Sequence, residues 1–173
     1  LNKGEPMKEM TKKNLYEAFA GESQAHMKYS LFAQKAEREG YPEIARLFKA
    51  ISFAEKVHAT NHLRVLGGIN DTISNLEAAK GGETFEVNEM YPAYDAVAKA
   101  QGEKEAEKSI FYAIEAEKIH INMYEDAKKA ALEKKDIPPE NVYVCPVCGH
   151  TVIGELHDDC PVCKLKKEKY IKF

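Results

Sequence analysis

Residues 106–131 read AEKSIFYAIEAEKIHINMYEDAKKAA, and Ala106, Ile110, Ala113, Tyr124, Ala127 and Ala131 recur at the three- and four-residue spacing of one helix face. Two members of that face are not apolar: Glu117 and His120. One turn apart, a carboxylate and an imidazole point at a common spot. Buried in a dry helix interface, an ionised carboxylate is costly unless a cation offsets it.

The same word occurs earlier in the chain. Glu55-Lys56-Val57-His58 repeats Glu117-Lys118-Ile119-His120, and alanine precedes each, at Ala54 and Ala116. A single E-x-x-H is weak evidence, but each of these follows an unpaired inward glutamate at a similar distance. Glu22 precedes Glu55 by 33 residues and Glu86 precedes Glu117 by 31. A glutamate from each of two helices and an E-x-x-H from each of two others is the di-metal carboxylate pattern of ferritin-like bundles. Oxygen-rich ligation with few imidazoles suits iron or manganese better than zinc or copper. Two such ions about 3.5–4 Å apart are suited to holding both oxygens of a peroxide. Glu89, on the face of Glu86 at i, i+3, supplies a seventh donor and breaks the two-fold pattern.

Outward from these words the chain reads as all-α. Leu15, Phe19, Tyr29, Ala33 and Ala36 form a first stripe that includes Glu22. Ile44, Leu47, Phe48, Ile51 and Val65 form a second, with Glu55, His58 and His62 inward. A third helix is expected to begin between Glu86 and Pro92, with a start or kink at Tyr91-Pro92. Tight connections at Glu39–Pro42 and Gln101–Gly102 predict two antiparallel hairpins, and Gly67–Thr84 predicts one long crossover between them. The charged, doubly prolyl stretch EKKDIPPEN, residues 133–141, reads as a linker. The expected domains are a four-helix bundle over 1–137 and a small module over 138–173.

All four cysteines fall in that module, as Cys145-Pro146-Val147-Cys148 and Cys160-Pro161-Val162-Cys163. Two C-P-x-C knuckles so close together predict one tetrahedral four-thiolate metal site. Spacing alone leaves the metal open between zinc and iron. A redox bundle that consumes electrons needs a carrier, and that favours iron. Lys164 follows the second knuckle where Gly149 follows the first, a departure expected to shift the site's potential or weaken it.

The totals exclude several classes. With 25 basic and 28 acidic residues the net charge is −3, and no basic run is suited to tracking a phosphate backbone. No apolar stretch approaches the roughly 20 residues that span a bilayer, and Leu1–Met10 lacks an apolar signal core. A soluble, cytoplasmic protein without nucleic-acid or membrane partners is expected.

With the inward glutamates, both E-x-x-H turns and the cysteine tail in hand, the chain resembles the rubrerythrin family from about Thr11 to Phe173. The most specific elements are AFAGES around Glu22, FAEKVH around Glu55, ETFEVNEMYP around Glu86 and Glu89, EAEKIH around Glu117, and the two CPVC knuckles. The resemblance implies a ferritin-like di-iron bundle and a rubredoxin-like domain whose iron is held by Cys145, Cys148, Cys160 and Cys163, with zinc as an alternative occupant. It implies Glu55 and Glu117 as bridging ligands, Glu22 chelating one iron, and Glu86 with His120 on the other. The first iron would take Glu89 when oxidised and His58 when reduced. Tyr29 and Tyr94 align with tyrosines that hydrogen-bond ligand carboxylates, and His26 and His62 have no ligand role in the family pattern. The implied activity is reduction of hydrogen peroxide in oxidative-stress defence, within a homodimer. Electrons would come from NAD(P)H through a reductase and a separate rubredoxin, because the chain has no G-x-G-x-x-G of its own. Two rival readings are a ferritin-type ferroxidase and a structural protein with zinc in the tail.

Overall fold

Helices α1 (Glu9–Arg38) and α2 (Pro42–Val65) form an antiparallel hairpin. Its turn is closed by Gly40, whose φ of 83° only glycine adopts without strain. Tyr41 N–H donates to Ala36 O at 2.9 Å and Gly40 N–H to Glu37 O at 3.1 Å, which satisfies the carbonyls α1 leaves open. The computed structural model describes residues 6–173; the first five residues, part of the N-terminal segment read for a signal core, lie outside the described residues. By internal contacts the chain divides into Leu1–Asn70 and Asp71–Phe173.

Small residues make the α1–α2 seam: Ala33, Ala36, Ala45, Ser52 and Ala59 are buried. Ala33 and Ala36 belong to the first stripe as expected. On α2 the buried positions are Ala45, Ser52 and Ala59, the first two directly after Ile44 and Ile51, and Ile44, Leu47, Ile51 and Val65 stay exposed. The expected second stripe is thus rotated, because alanine and serine let two backbones approach where isoleucine and leucine would hold them apart. Across the seam Ser52 Oγ donates to His26 O at 2.8 Å, and His26 Nδ1 lies 2.8 Å from Ser52 O. His26 therefore locks the hairpin.

The third helix starts earlier than expected. Asp71 caps α3 (Thr72–Phe85), its carboxylate accepting from Ser74 N–H at 3.0 Å and Ser74 Oγ at 2.7 Å. Most of the segment 67–84, read as a connection, is therefore helical. The pair Gly81-Gly82, of low helix propensity, lies inside α3. A π-helical turn, Glu86–Met90, carries α3 into α4 (Tyr91–Gln101), with Tyr91 N–H donating to Glu86 O. Pro92 has no N–H to give, and the wide turn just before it absorbs the mismatch without ending the rod. After Gly102, α5 (Lys104–Leu132) runs back along α3, the π turn and α4. Ion pairs Lys80–Glu125 at 2.6 Å and Lys128–Glu77 at 2.5 Å tie α3 to α5.

Residues 133–141 contain no helix or strand. A three-stranded antiparallel ribbon follows, in the order β2 (Thr151–Ile153), β1 (Val142–Val144), β3 (Ile171–Lys172). Val144 pairs with Thr151 on one side and Ile171 on the other. The ribbon's core is Cys145, Cys148 and Cys160, with Tyr112 of α5, Val162, Leu165 and Tyr170 against it. With α3, the π turn and α4 taken as one rod, the described residues hold four long helices and a four-cysteine ribbon, the fold class the sequence implied. Among the described residues no helix is long and apolar enough to cross a membrane.

Candidate metal centres

The ribbon brings four free thiols together. Cys145 Sγ lies 3.4 Å from Cys163 Sγ and Cys148 Sγ 3.4 Å from Cys160 Sγ, and all four lie within 4.8 Å of one another. Tetrahedral coordination at a metal–sulfur distance of about 2.3 Å puts sulfurs about 3.8 Å apart, so the donor set fits a single ion. The knuckles are two copies of one device. Gly149 N–H donates to Cys145 O and Lys164 N–H to Cys160 O, both at 2.9 Å. Cys145 N–H meets His150 O at 2.9 Å, as Cys160 N–H meets Leu165 O at 2.8 Å. The amides of His150 and Leu165 stabilise the thiolates of Cys148 and Cys163.

Burial nonetheless pushes the Cys148 and Cys163 thiols up. Burial acts the same way on Cys160, but the Cys163 and Val162 amides and the Tyr170 hydroxyl outweigh it and bring Cys160 down to about 6. Without a cation Cys160 therefore forms a thiolate easily while Cys148 and Cys163 resist it, and a divalent ion that gathers the cluster must displace protons.

Lys164 keeps the geometry that glycine would give. Its φ of 63° matches the 78° of Gly149. An L-residue there costs roughly 1–2 kcal/mol, partly offset by the greater freedom glycine loses on folding. Lys164→Gly is therefore expected to stabilise the ribbon by about 0.5–1 kcal/mol, read as a higher denaturant midpoint for loss of the tail's metal absorbance.

The helices hold two further donor groups, one in each unit and alike in shape. In the first, His58 Nδ1 lies 3.0 Å from Glu55 Oε2 and 3.7 Å from Glu22 Oε1. In the second, His120 Nδ1 lies 2.7 Å from Glu117 Oε2 and 3.7 Å from Glu83 Oε1. Within each trio the donor atoms fit around one ion. The E-x-x-H spacing thus puts each pair where the sequence reading directed it.

Glu83 was not singled out from sequence. It stands to Glu117 as Glu22 stands to Glu55, 34 and 33 residues ahead, and that near-equal spacing was the available signal. Its Oε2 is buried without a hydrogen-bond partner, an acceptor that a cation held by the trio would satisfy. Glu86 and Glu89 lie one and two turns on, in the π turn. Glu86 is pushed up by burial and by the Glu117 carboxylate, so it shares the local field, but neither joins the trio around His120.

Burial and the Glu117 carboxylate push Glu83 up to about 7. A carboxyl raised in the folded state stabilises most below about 4.5, and that contribution is lost as pH rises through about 7. Metal-free Glu83→Gln is accordingly expected to melt above the parent at pH 8 and to converge with it below pH 4.5, in thermal scans across that range.

The tyrosines divide differently from expectation. Tyr29 stacks with Phe32 and Phe48 at ring-centroid distances of 6.1 and 6.2 Å, and Tyr94 is 55% exposed against Tyr91. Tyr91 and Tyr124 are the phenols near the second trio. Burial first, and then Glu86 and Glu117 for Tyr91, or Glu83 and Glu117 for Tyr124, hold both above the ordinary tyrosine range.

Glutamate–histidine trios on paired helices and a four-thiolate ribbon define a di-metal carboxylate protein of ferritin-like type with a rubredoxin-like domain. Comparison with known proteins gives the particular family. The rubrerythrin profile matches residues 13–128, and that of the rubrerythrin rubredoxin-like domain matches residues 143–171. Rubrerythrin-2 of Clostridium acetobutylicum is 44% identical over 178 residues, covering 95% of this chain and 97% of that protein. Nigerythrin of Nitratidesulfovibrio vulgaris is 33% identical, covering 94% and 86%. Solved structures of nigerythrin in mixed-valence and fully reduced, all-ferrous states match with TM-scores of 0.56 and identities of 29% and 30%. They cover 100% and 99% of this chain and 91% and 90% of theirs. The chain belongs to the rubrerythrin family, whose members bind a di-iron centre and a rubredoxin-like iron.

Proposed function

We propose that this protein is a cytoplasmic peroxidase that reduces hydrogen peroxide to two waters, consuming two electrons and two protons. Family membership supports a di-iron peroxidase-type oxidoreductase. The observation that carries the reading is the pair of matching Glu–Glu–His trios in a chain that also gathers four thiols around one point. Two irons held by the glutamates and histidines would supply the two electrons.

The ligand set follows the two trios and, for its bridges, the family pattern. Glu55 and Glu117 would bridge, Glu22 would serve one iron, and Glu83 with His120 the other, Glu86 standing beside them. Glu89 and His58 would be the exchangeable donors to the first iron. A half-exposed His58 side chain has room for that exchange. Six carboxylates, with Glu83 among them, offset the ions' charge. Tyr91 and Tyr124 stay protonated at neutral pH and so remain donors toward these carboxylates. Cys145, Cys148, Cys160 and Cys163 hold the iron that returns electrons one at a time. A separate rubredoxin and an NAD(P)H-dependent reductase deliver them. The exposed Leu31, Phe32, Ile44, Leu47 and Phe53 of the α1–α2 hairpin support a homodimer that covers them.

Steady-state oxidation of NADH in the presence of a reductase and rubredoxin tests the proposal. Peroxide-dependent turnover that falls at least about 100-fold in Glu117→Ala is expected. Turnover equal to that of the variant, with ferrous iron and oxygen consumed instead, would point to a ferroxidase.

A further inference from the structure

One face of α5 seats the ribbon. Tyr112 packs against the cysteine cluster, and Ala116 is buried where a side chain on Gly149 would come within 3.4 Å of its Cβ. One turn further, His120 Nε2 lies 2.8 Å from Thr151 Oγ1. Thr151 is itself buried, and its hydroxyl donates to Gly149 O at 2.9 Å, the carbonyl next along the chain from Cys148.

We propose that Thr151 of the ribbon is a positioning residue for the bundle metal: it fixes the proton of His120 on Nε2 and leaves Nδ1 as the ligating nitrogen. The argument is a count of protons. A threonine hydroxyl has one, and here it is given to Gly149 O. Toward His120 the same oxygen can only accept, so Nε2 must carry a hydrogen. Nδ1 faces Glu117 and Glu83 at 2.7 and 3.7 Å, on the side where the carboxylates gather. A metal there would bind the Nδ1 lone pair, and the ring cannot turn over without breaking the Thr151 bond. Partners of this kind on the far nitrogen of a ligating histidine are worth about 10–100-fold in metal affinity. The same bond ties the seat of the tail metal to that of the bundle metal. A ribbon without its metal would release Thr151 and loosen the His120 site with it.

The inference rests on His120 being a ligand, and the test separates the two claims. Zinc-loaded protein labelled with 15N-histidine, in the parent, Thr151→Val and Thr151→Ser, gives the His120 tautomer directly. Cobalt titration gives the affinity of the bundle site. Valine matches threonine in shape and suits a strand, and the four-thiolate absorbance of the cobalt-loaded tail reports that the ribbon is intact. Nε2–H in the parent and in Thr151→Ser, with a bundle affinity about 10–100-fold lower in Thr151→Val, is the expected result. Equal affinity and an unchanged tautomer in Thr151→Val would overturn the role of Thr151 and leave His120 a ligand. A His120 ring that does not respond to metal in the parent would overturn the ligand assignment itself.

Discussion

Removing the metal from the four-cysteine ribbon is expected to unfold residues 142–173 while α5 keeps its helix. The ribbon's strands are three, three and two residues long, and its only fully buried large side chains are Cys145 and Cys160. A module of that size has too little apolar surface to offset the entropy of ordering its chain. Four-thiolate binding supplies about 10–16 kcal/mol in small metal modules, more than any other interaction available here. Without the metal, the burial that pushes Cys148 and Cys163 up leaves a thiol cluster that gains little by staying together. The amide resonances of Val144, Thr151 and Ile171 should collapse to the unfolded range on chelation and return on adding zinc or ferrous iron. Dispersed resonances that survive chelation would show that the ribbon stands on its packing against Tyr112 and Ala116.

The second large effect concerns the bridging carboxylates. Glu117→Ala is expected to lower the iron content from three ions per chain to one, with the tail's colour kept. If Glu117 serves both ions, as the family pattern has it, its loss removes a donor from each. It also leaves His120 without the carboxylate 2.7 Å from Nδ1. Glu55→Ala should give the same stoichiometry from the other trio, since Glu55 stands to His58 as Glu117 does to His120. Metal analysis on anaerobically loaded protein reads this directly. A fall to two ions in either variant would mean that each trio holds its own ion independently and that neither glutamate bridges.

The sequence carried the site's chemistry more completely than its geometry. E-x-x-H at i, i+3 settles which residues meet on one helix face whatever the rest of the fold does, so Glu55 with His58 and Glu117 with His120 were legible at once. The cysteine knuckles were equally so, because C-P-x-C dictates its own turn. Glu83 was not legible because Glu83, Glu86 and Glu89 share one i, i+3 spacing, and a π turn at Glu86–Met90 adds a residue to the helix period that a regular 3.6-residue reading cannot anticipate. The start of α3 was missed because Gly81-Gly82 reads as a break when tertiary contacts are unknown, and α5 supplies those contacts through Lys80–Glu125 and Lys128–Glu77. The face of α2 was misjudged by ranking isoleucine and leucine above alanine as core residues, where close helix approach selects the smaller side chains. Thr151 had no signal of its own: a threonine in a short strand joins the site only when the ribbon is seated on α5.

The measurement that tests the account most directly is an anaerobic stopped-flow mix of fully reduced, iron-loaded protein with hydrogen peroxide, following the visible absorbance of the four-thiolate iron beside Glu117→Ala. Rapid reoxidation of the tail that is lost in the variant is predicted, because its electrons must leave through the carboxylate-held irons. Slow reoxidation at the same rate in both would contradict the peroxidase reading.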